Sequence, residues 1–352
     1  MILEKTLILK VTKNADTVED LENLTLAADI IKKGGLVVFP TETVYGLGAN
    51  ALDEMAAKSI FEAKGRPQNN PLIIHLDDKK NIEKYCETTG VFGYEKLISL
   101  MPAPLTVILP AKSNIPKTVT AGLSTVAVRV PESKIARKLV ELSGVPIAAP
   151  SANLSGKPSP TCAKHVIEDM DGRADVIIDG GACEVGLEST IVTLCEENPT
   201  LLRPGGIKYE TLCEILGDVD ISHAVLESLK EGENVLSPGM MYKHYAPEKP
   251  VVLVKGERDK CIEFVNGKAK TEKCVVICYS EDVCDIMSEN IFSAGSRDNN
   301  SEYASKLFSM LRETNHIESE KVYAFLPDST SGISLAIYNR LLRAAGFNVV
   351  QL

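Results

Sequence analysis

The sequence predicts a two-domain α/β protein: a mixed, twisted sheet with helices, followed by a smaller, doubly wound domain. Three observations carry that reading. The chain has 352 residues, more than one hydrophobic core usually serves. Before about residue 215, short β-branched runs recur between helical patterns, several with no helix between them, which a purely parallel sheet does not allow. From Val251 onward strands and helices alternate regularly, as in an open, mostly parallel sheet. The expected boundaries are 1–217 for the first domain, 218–250 for a linker and 251–352 for the second.

In chain order, "LTLAADIIKKGG" has apolar positions at helical spacing and stops at Gly34 and Gly35. "LVVFPT" reads as a buried strand. The stretch after it, with Thr41, Thr43, Tyr45, Gly46 and Gly48, reads as a loop before the next helix. It is either a ligand wall or a tight strand-to-helix connection, and the second reading leaves the threonines unexplained. "DEMAAKSIFEAKGRP" is a helix with Asp53 as N-cap and Pro67 past its end. "PLIIHL", "PLTVILP", "STVAVRVP", "VPIAAPSAN", "ADVIIDGG", "STIVTLC" and "TLLRPGG" follow as buried strands, then the helix "KYETLCEILG". In the linker, Tyr242, Lys243, His244 and Tyr245 are more than a tether requires; they dock on a site or pack on their own domain. The second domain reads as "VVLV", helix, "CVVICYS", helix, "IFSAG", helix, "KVYAFLP", helix and "FNVVQL". It holds no GxGxxG or Walker loop, so it reads as accessory.

A net charge of −10 excludes a protein that coats nucleic acid by bulk electrostatics, though not a local basic cleft. No apolar run approaches the ~18 residues of a membrane span. The start "MILEKTLILKVTKNAD" carries charges where a signal peptide is apolar. A cytoplasmic protein with no membrane association is expected. The nine cysteines are scattered without a CxxC pair and are expected to be reduced. Cys274 and Cys278 share a strand face but lack further ligands, so no metal site is expected there.

Most residues suited to chemistry precede residue 215. Lys64 and Arg66 sit at a helix end, followed by Pro67, Asn69 and Asn70. Two cations on a rigid turn can bracket a polyanion, whereas one suffices to complement a helix C-terminus, and the segment alone leaves both readings open. "AAPSANLSGKPSPT" leaves a strand at Pro150 and offers Ser151, Asn153, Ser155, Gly156, Ser159 and Thr161. It is a ligand loop or a polar turn, with Thr161 a candidate helix cap. Arg129 alternates with Val126, Val128 and Val130, so it faces away from them, into solvent or onto a carboxylate or phosphate. Ser189 in "GLEST" and Arg203 in "LLRPGG" add a hydroxyl and a cation at strand ends. There is no GxSxG, no HExxH and no Cys-His pair at a recognisable spacing. Chemistry by charge neutralisation and positioning of two substrates, as in nucleotidyl transfer, fits this inventory.

Together "FPTETVYGLGANA", "AKGRPQNNPLIIH", "TVAVRVP", "APSANLSGKPSPT", "GLESTIV", "LLRPG" and "SPGMMYKHYAP" resemble, in this order, the two-domain threonylcarbamoyl-AMP synthases. These join a YrdC-like catalytic domain by a linker to a smaller Rossmann-like domain. The resemblance implies that L-threonine, bicarbonate and ATP, with Mg2+, give threonylcarbamoyl-AMP and pyrophosphate. A tRNA threonylcarbamoyl transferase complex would use the product; direct tRNA binding is only a weak expectation. The nucleophile is then the substrate's own carbamate, and no protein nucleophile is needed. By resemblance Lys64, Arg66, Ser151 and Asn153 are catalytic, holding ATP phosphates and the carbamate. Asn70, Thr125, Ser159 and Arg203 join Arg66 and Ser151 as nucleotide contacts. Thr43, His75, Arg129, Ala149 and Ser189 line the threonine pocket, although His75 within "PLIIHL" also suits a core histidine. Tyr242, His244 and Tyr245 form a flap over the cleft. His165, His223 and His316 are expected on helices or the surface, without function. Competing readings are an RNA-binding module without chemistry, disfavoured by the acidity, and another carbamoyl or acyl adenylate former.

Overall fold

The computed structural model describes residues 5–227 and 244–352. An eleven-stranded mixed sheet holds β1 (Leu7–Lys10), β2 (Val37–Pro40), β3 (Tyr45–Asn50), β4 (Ile73–His75), β5 (Leu105–Pro110), β6 (Thr125–Arg129), β7 (Ile147–Ala148), β8 (Val176–Asp179), β9 (Thr190–Thr193), β10 (Thr200–Arg203) and β11 (Asp220–Ile221). Their spatial order is β1-β8-β2-β3-β7-β4-β6-β5-β9-β10-β11. The helices are α1 (Val18–Lys32), α2 (Glu54–Lys64), α3 (Tyr94–Ile98), α4 (Lys117–Thr120), α5 (Lys134–Ser143), α6 (Ala163–Met170) and α7 (Tyr209–Leu216).

The C-terminal sheet holds β12 (Val251–Lys255), β13 (Cys274–Cys278), β14 (Asn290–Ser293), β15 (Lys321–Phe325) and β16 (Val349–Gln351), all parallel in the order β14-β13-β15-β12-β16. It carries α8 (Arg258–Ala269), α9 (Asn300–Glu313) and α10 (Ile333–Ala345). The doubly wound pattern read from Val251 is present, except that the segment after β13 is a 3-10 turn, Ser280–Asp285, and not an α-helix.

Other local expectations are corrected. Residues 45–50 form a strand, not a loop, closing an antiparallel hairpin with β2. Gly48 serves packing there, since a Cβ would meet the Phe39 ring and Ile147 at 2.7 Å. Thr41 builds the hairpin turn: its hydroxyl donates to Val44 O at 2.7 Å and lies 2.8 Å from Thr43 Oγ1. The charged start supplies the edge strand β1. Thr161 does not cap α6; its backbone N–H donates to His165 Nδ1 at 3.3 Å, and His165 is buried. Asp53 caps α2 as expected, accepting from Met55 N at 2.9 Å, and Gly65 ends that helix at φ 61°.

The large sheet explains the placement of the site. One face, including Val38, Ile74, Val128 and Val192, packs on α2, α3, α6 and α7. At one end of the other face, Val37, Phe39, Ile147 and Ile178 pack under α1 and α5. Beyond them that face carries only a small apolar cluster of Ile73, Ile108, Ala127, Ile191 and Leu202. The floor of a hollow is therefore built from strand residues that no helix of the first sheet covers. The C-terminal domain docks beside it through α9 and α10. Arg312 Nη2 reaches Pro158 O at 2.7 Å, and Arg343 Nη2 reaches Ala224 O at 2.5 Å. Val44 and Leu187 are in turn buried in the C-terminal core.

Candidate active site

Register delivers the polar residues to that floor. β4 and β6 are parallel with His75 opposite Arg129, so both share the face of Ile73 and Ala127. Ser189 precedes β9 by one residue and keeps the parity of Ile191. A bulge between Leu201 and Arg203 adds a residue to β10, so that Arg203 lies opposite Ile191. Without it, Arg203 would share the face of Leu201 in the opposite core.

Residues at or beside seven strands, the end of α2 and the linker line one hollow, among them Thr41, Gly46, Arg66, His75, Arg129 and Ala149. Ser151, Glu188, Ser189, Arg203, His244 and Tyr245 complete its polar wall. Its free volume is about 40 Å³, room for a few waters and much less than a nucleotide needs. His244 and Tyr245 of the linker pack against it. Tyr245 is fully buried at φ 64°, edge-on to His244 at 4.2 Å and 5.1 Å from Phe308. A buried tyrosine held in the left-handed region marks a segment constrained by its surroundings.

Around the hollow, each cation has a defined setting. Arg129 is 4% exposed; its Nη2 donates to Glu42 Oε1 at 2.6 Å and Thr43 Oγ1 at 3.0 Å, while Nε has no partner. Lys64 is 2% exposed. Its Nζ donates to Ser151 O at 2.5 Å and to Asn153 O. Burial, then Arg66, pushes its pKa well below the ordinary value, and an anion bound beside it would raise it. Arg66 is also buried, reaching Pro71 O at 3.5 Å with Nε unpartnered. Arg203 donates to Ser189 O at 3.0 Å and Ser189 Oγ at 3.1 Å, and Ser189 Oγ lies 2.7 Å from Thr106 Oγ1. Ser151 Oγ donates to Asn153 Oδ1 at 2.5 Å. Buried donors and acceptors without partners are costly unless a ligand engages them. Arg66 Nε, Arg129 Nε, Asn70 Oδ1, His75 Nδ1 and His244 Nδ1 are such atoms.

Of the expected residues, Lys64, Asn153 and Thr43 do not line the hollow but bond those that do or their neighbours. Ser159 and Asn70 are buried and do not line it; Ser159 donates to the lining residue Glu188 at 2.6 Å. Thr125 stands apart at the far end of β6, four residues and about 13 Å of strand from Arg129. Tyr242 lies outside the described residues. Two glutamates went unread in the sequence. Glu42 pairs with Arg129, and Glu188 pairs with Arg340 of α10 at 2.8 Å. The signal for Glu188 was its place beside Ser189 in "GLEST"; nothing local signals Glu42.

The buried histidines make stability depend on pH. Burial, with Arg129 next, lowers His75 to about 3, and burial, with Arg312 next, lowers His165 to about 4. Each is neutral when folded but protonates near 6.5 when unfolded. Between those values the unfolded state binds more protons, so stability falls as pH falls below about 6.5. The expected slope is up to about 1.4 kcal/mol per pH unit for each histidine. Urea midpoints at pH 7 and pH 5 measure it; equal midpoints would contradict the buried neutral assignment.

The Sua5/YciO/YrdC family model, described as telomere recombination, matches residues 29–205. A second, described as threonylcarbamoyl-AMP synthase, C-terminal domain, matches residues 207–346. The chain is 44% identical over 333 residues to the threonylcarbamoyl-AMP synthase of Pyrococcus abyssi, covering 93% of this chain and 95% of that one. To the Bacillus subtilis enzyme of the same name it is 41% identical over 332 residues, covering 92% and 93%. The crystal structure of P. abyssi Sua5 complexed with L-threonine aligns with 99% of this chain and 100% of that one, at 41% identity and a TM-score of 0.91.

Proposed function

The chain belongs to the Sua5/YciO/YrdC family in its two-domain form, and from that premise we propose that it makes threonylcarbamoyl-AMP and pyrophosphate from L-threonine, bicarbonate and ATP. The observation that carries the reading is one hollow holding two buried guanidinium groups, Arg66 and Arg129, each with an unpartnered Nε, beside the hydroxyls of Ser151 and Ser189. Two separate anions, a carboxylate and a phosphate, are the ligands such a pair recognises.

In this reading Arg129 holds the threonine carboxylate, oriented by Glu42 and Thr43. Arg66 and Lys64 take the phosphates and the carbamate that the threonine amine forms with bicarbonate as one water is released. That carbamate attacks the α-phosphorus, and the cations stabilise charge moving onto the departing pyrophosphate. The reaction makes the protein a nucleotidyltransferase whose nucleophile belongs to its substrate. Magnesium enters as part of the nucleotide, chelated by its phosphates. Among the described residues no group of three or more His, Cys, Asp or Glu gathers to hold a metal, and Glu42 and Glu188 are both paired with arginines. His244 and Tyr245 close over the product and keep water from its labile anhydride. The adenylate would pass to a tRNA threonylcarbamoyl transferase complex for threonylcarbamoyladenosine synthesis. Among the described residues no helix is long and apolar enough to cross a membrane.

Pyrophosphate release with each of the twenty amino acids, with and without bicarbonate, tests the reading. Release should require both threonine and bicarbonate. Valine should be rejected by about 10⁴-fold, because buried hydroxyl partners would be left unpaired. Serine should be rejected by only about 10–200-fold, the worth of one methyl. RNA binding without turnover would favour the binding module instead.

A further inference from the structure

Glu188, in the wall of the hollow, takes its ion-pair partner from the other domain. Arg340 of α10 is fully buried, and its Nε donates to Glu188 Oε2 at 2.8 Å. The other carboxylate oxygen, Oε1, accepts the hydroxyl of Ser159 at 2.6 Å. Arg340 is itself clamped: Nη1 donates to Asn339 Oδ1 at 2.7 Å, and Asn339 Nδ2 donates to Val225 O at 2.6 Å. Its Cζ also lies 5.6 Å from the ring centroid of Tyr245, the buried linker tyrosine. One guanidinium therefore touches both the wall of the hollow and the linker residue packed against it.

Docking alone does not account for this pair. Arg312 and Arg343 already tie α9 and α10 to backbone carbonyls of the first domain. A wholly buried ion pair is a weak device for stability, since desolvating two charges offsets much of their attraction. Its geometric consequence is sharper. An ionised Glu188 can only accept, so the Ser159 hydrogen is committed to it and the carboxylate is held through both of its oxygens. The residue after Glu188 is Ser189, whose carbonyl and hydroxyl are both held by Arg203.

We propose that Arg340 is a positioning residue for the reaction: from the C-terminal domain it fixes the Glu188 carboxylate, held on its other oxygen by Ser159, in the wall of the hollow that receives the nucleotide. The proposal rests on the synthase reading. It gives the C-terminal domain a task inside the site without contact with substrate. Burial alone would raise the Glu188 pKa, but Arg340, then Arg203 and the Ser159 hydroxyl, hold it at about 2, in keeping with a permanent acceptor.

The test uses the full chain and steady-state pyrophosphate release with ATP varied at saturating threonine and bicarbonate. Arg340→Gln is expected to raise KM for ATP by tenfold or more, with a smaller change in kcat. Arg340→Lys, which keeps the charge, should raise it less. Glu188→Gln should resemble Arg340→Gln, and the double variant should be no worse than the poorer single one, because both break the same link. Arg343→Gln removes another buried arginine of α10 that reaches the first domain, and should leave KM within about twofold. A lowered melting temperature with unchanged KM in Arg340→Gln would overturn the proposal. So would additive losses in the double variant, or an Arg343→Gln variant matching Arg340→Gln in KM. Wild-type protein without threonine-dependent release would reject the synthase reading itself, and this proposal with it.

Discussion

Arg66→Ala is expected to lower threonine-dependent pyrophosphate release by about 10²–10³-fold, the loss usual for a preorganised donor to developing charge. Its fold should survive, because among the described residues Arg66 makes only a long bond to Pro71 O at 3.5 Å. Lys64→Ala should lose as much activity but behave differently in stability. It leaves Ser151 O and Asn153 O without their buried donor, at about 1–3 kcal/mol for each unsatisfied group. Urea unfolding alongside the assay separates the two: the midpoint should drop clearly for Lys64→Ala and little for Arg66→Ala. Near-normal turnover in both variants would remove the two cations from the chemistry.

Arg129→Ala is expected to abolish detectable threonine binding by calorimetry and to destabilise the protein by about 3–5 kcal/mol. The second effect comes from Glu42, 5% exposed in its side chain and left as a buried carboxylate without its cation. Adding Glu42→Gln should recover most of the stability and none of the binding, since the partner charge is removed but the carboxylate grip is not restored. Threonine affinity near wild type in Arg129→Ala would show that the pocket lies elsewhere. Full stability in the single variant would show that Glu42 relaxes to solvent.

The fold was legible where local physics decides it. The β-branched runs became strands of the large sheet, Asp53 capped α2, and the alternation after Val251 became an all-parallel sheet. It failed where partners are remote. "YGLGAN" carries loop-forming glycines, yet Gly48 is needed because Phe39 and Ile147 press on it from neighbouring strands. β1 is a short edge strand whose Leu7 and Ile8 are exposed, so its pattern lacks the buried alternation by which a strand is read. The site residues stood out as hydroxyls and cations at strand ends, and their family assignment came from the order of the motifs.

The sequence alone determined the chemistry's inventory: which cations, hydroxyls and amides end the strands. Only the tertiary structure decided their settings. A one-residue bulge turned Arg203 toward the hollow, Glu42 took one edge of Arg129, and Arg340 reached Glu188 from a helix 152 residues away. Residue type and spacing follow from local backbone preferences. Ion-pair partners and strand register follow from which distant segments the packed cores bring together, and a linear pattern does not carry that information.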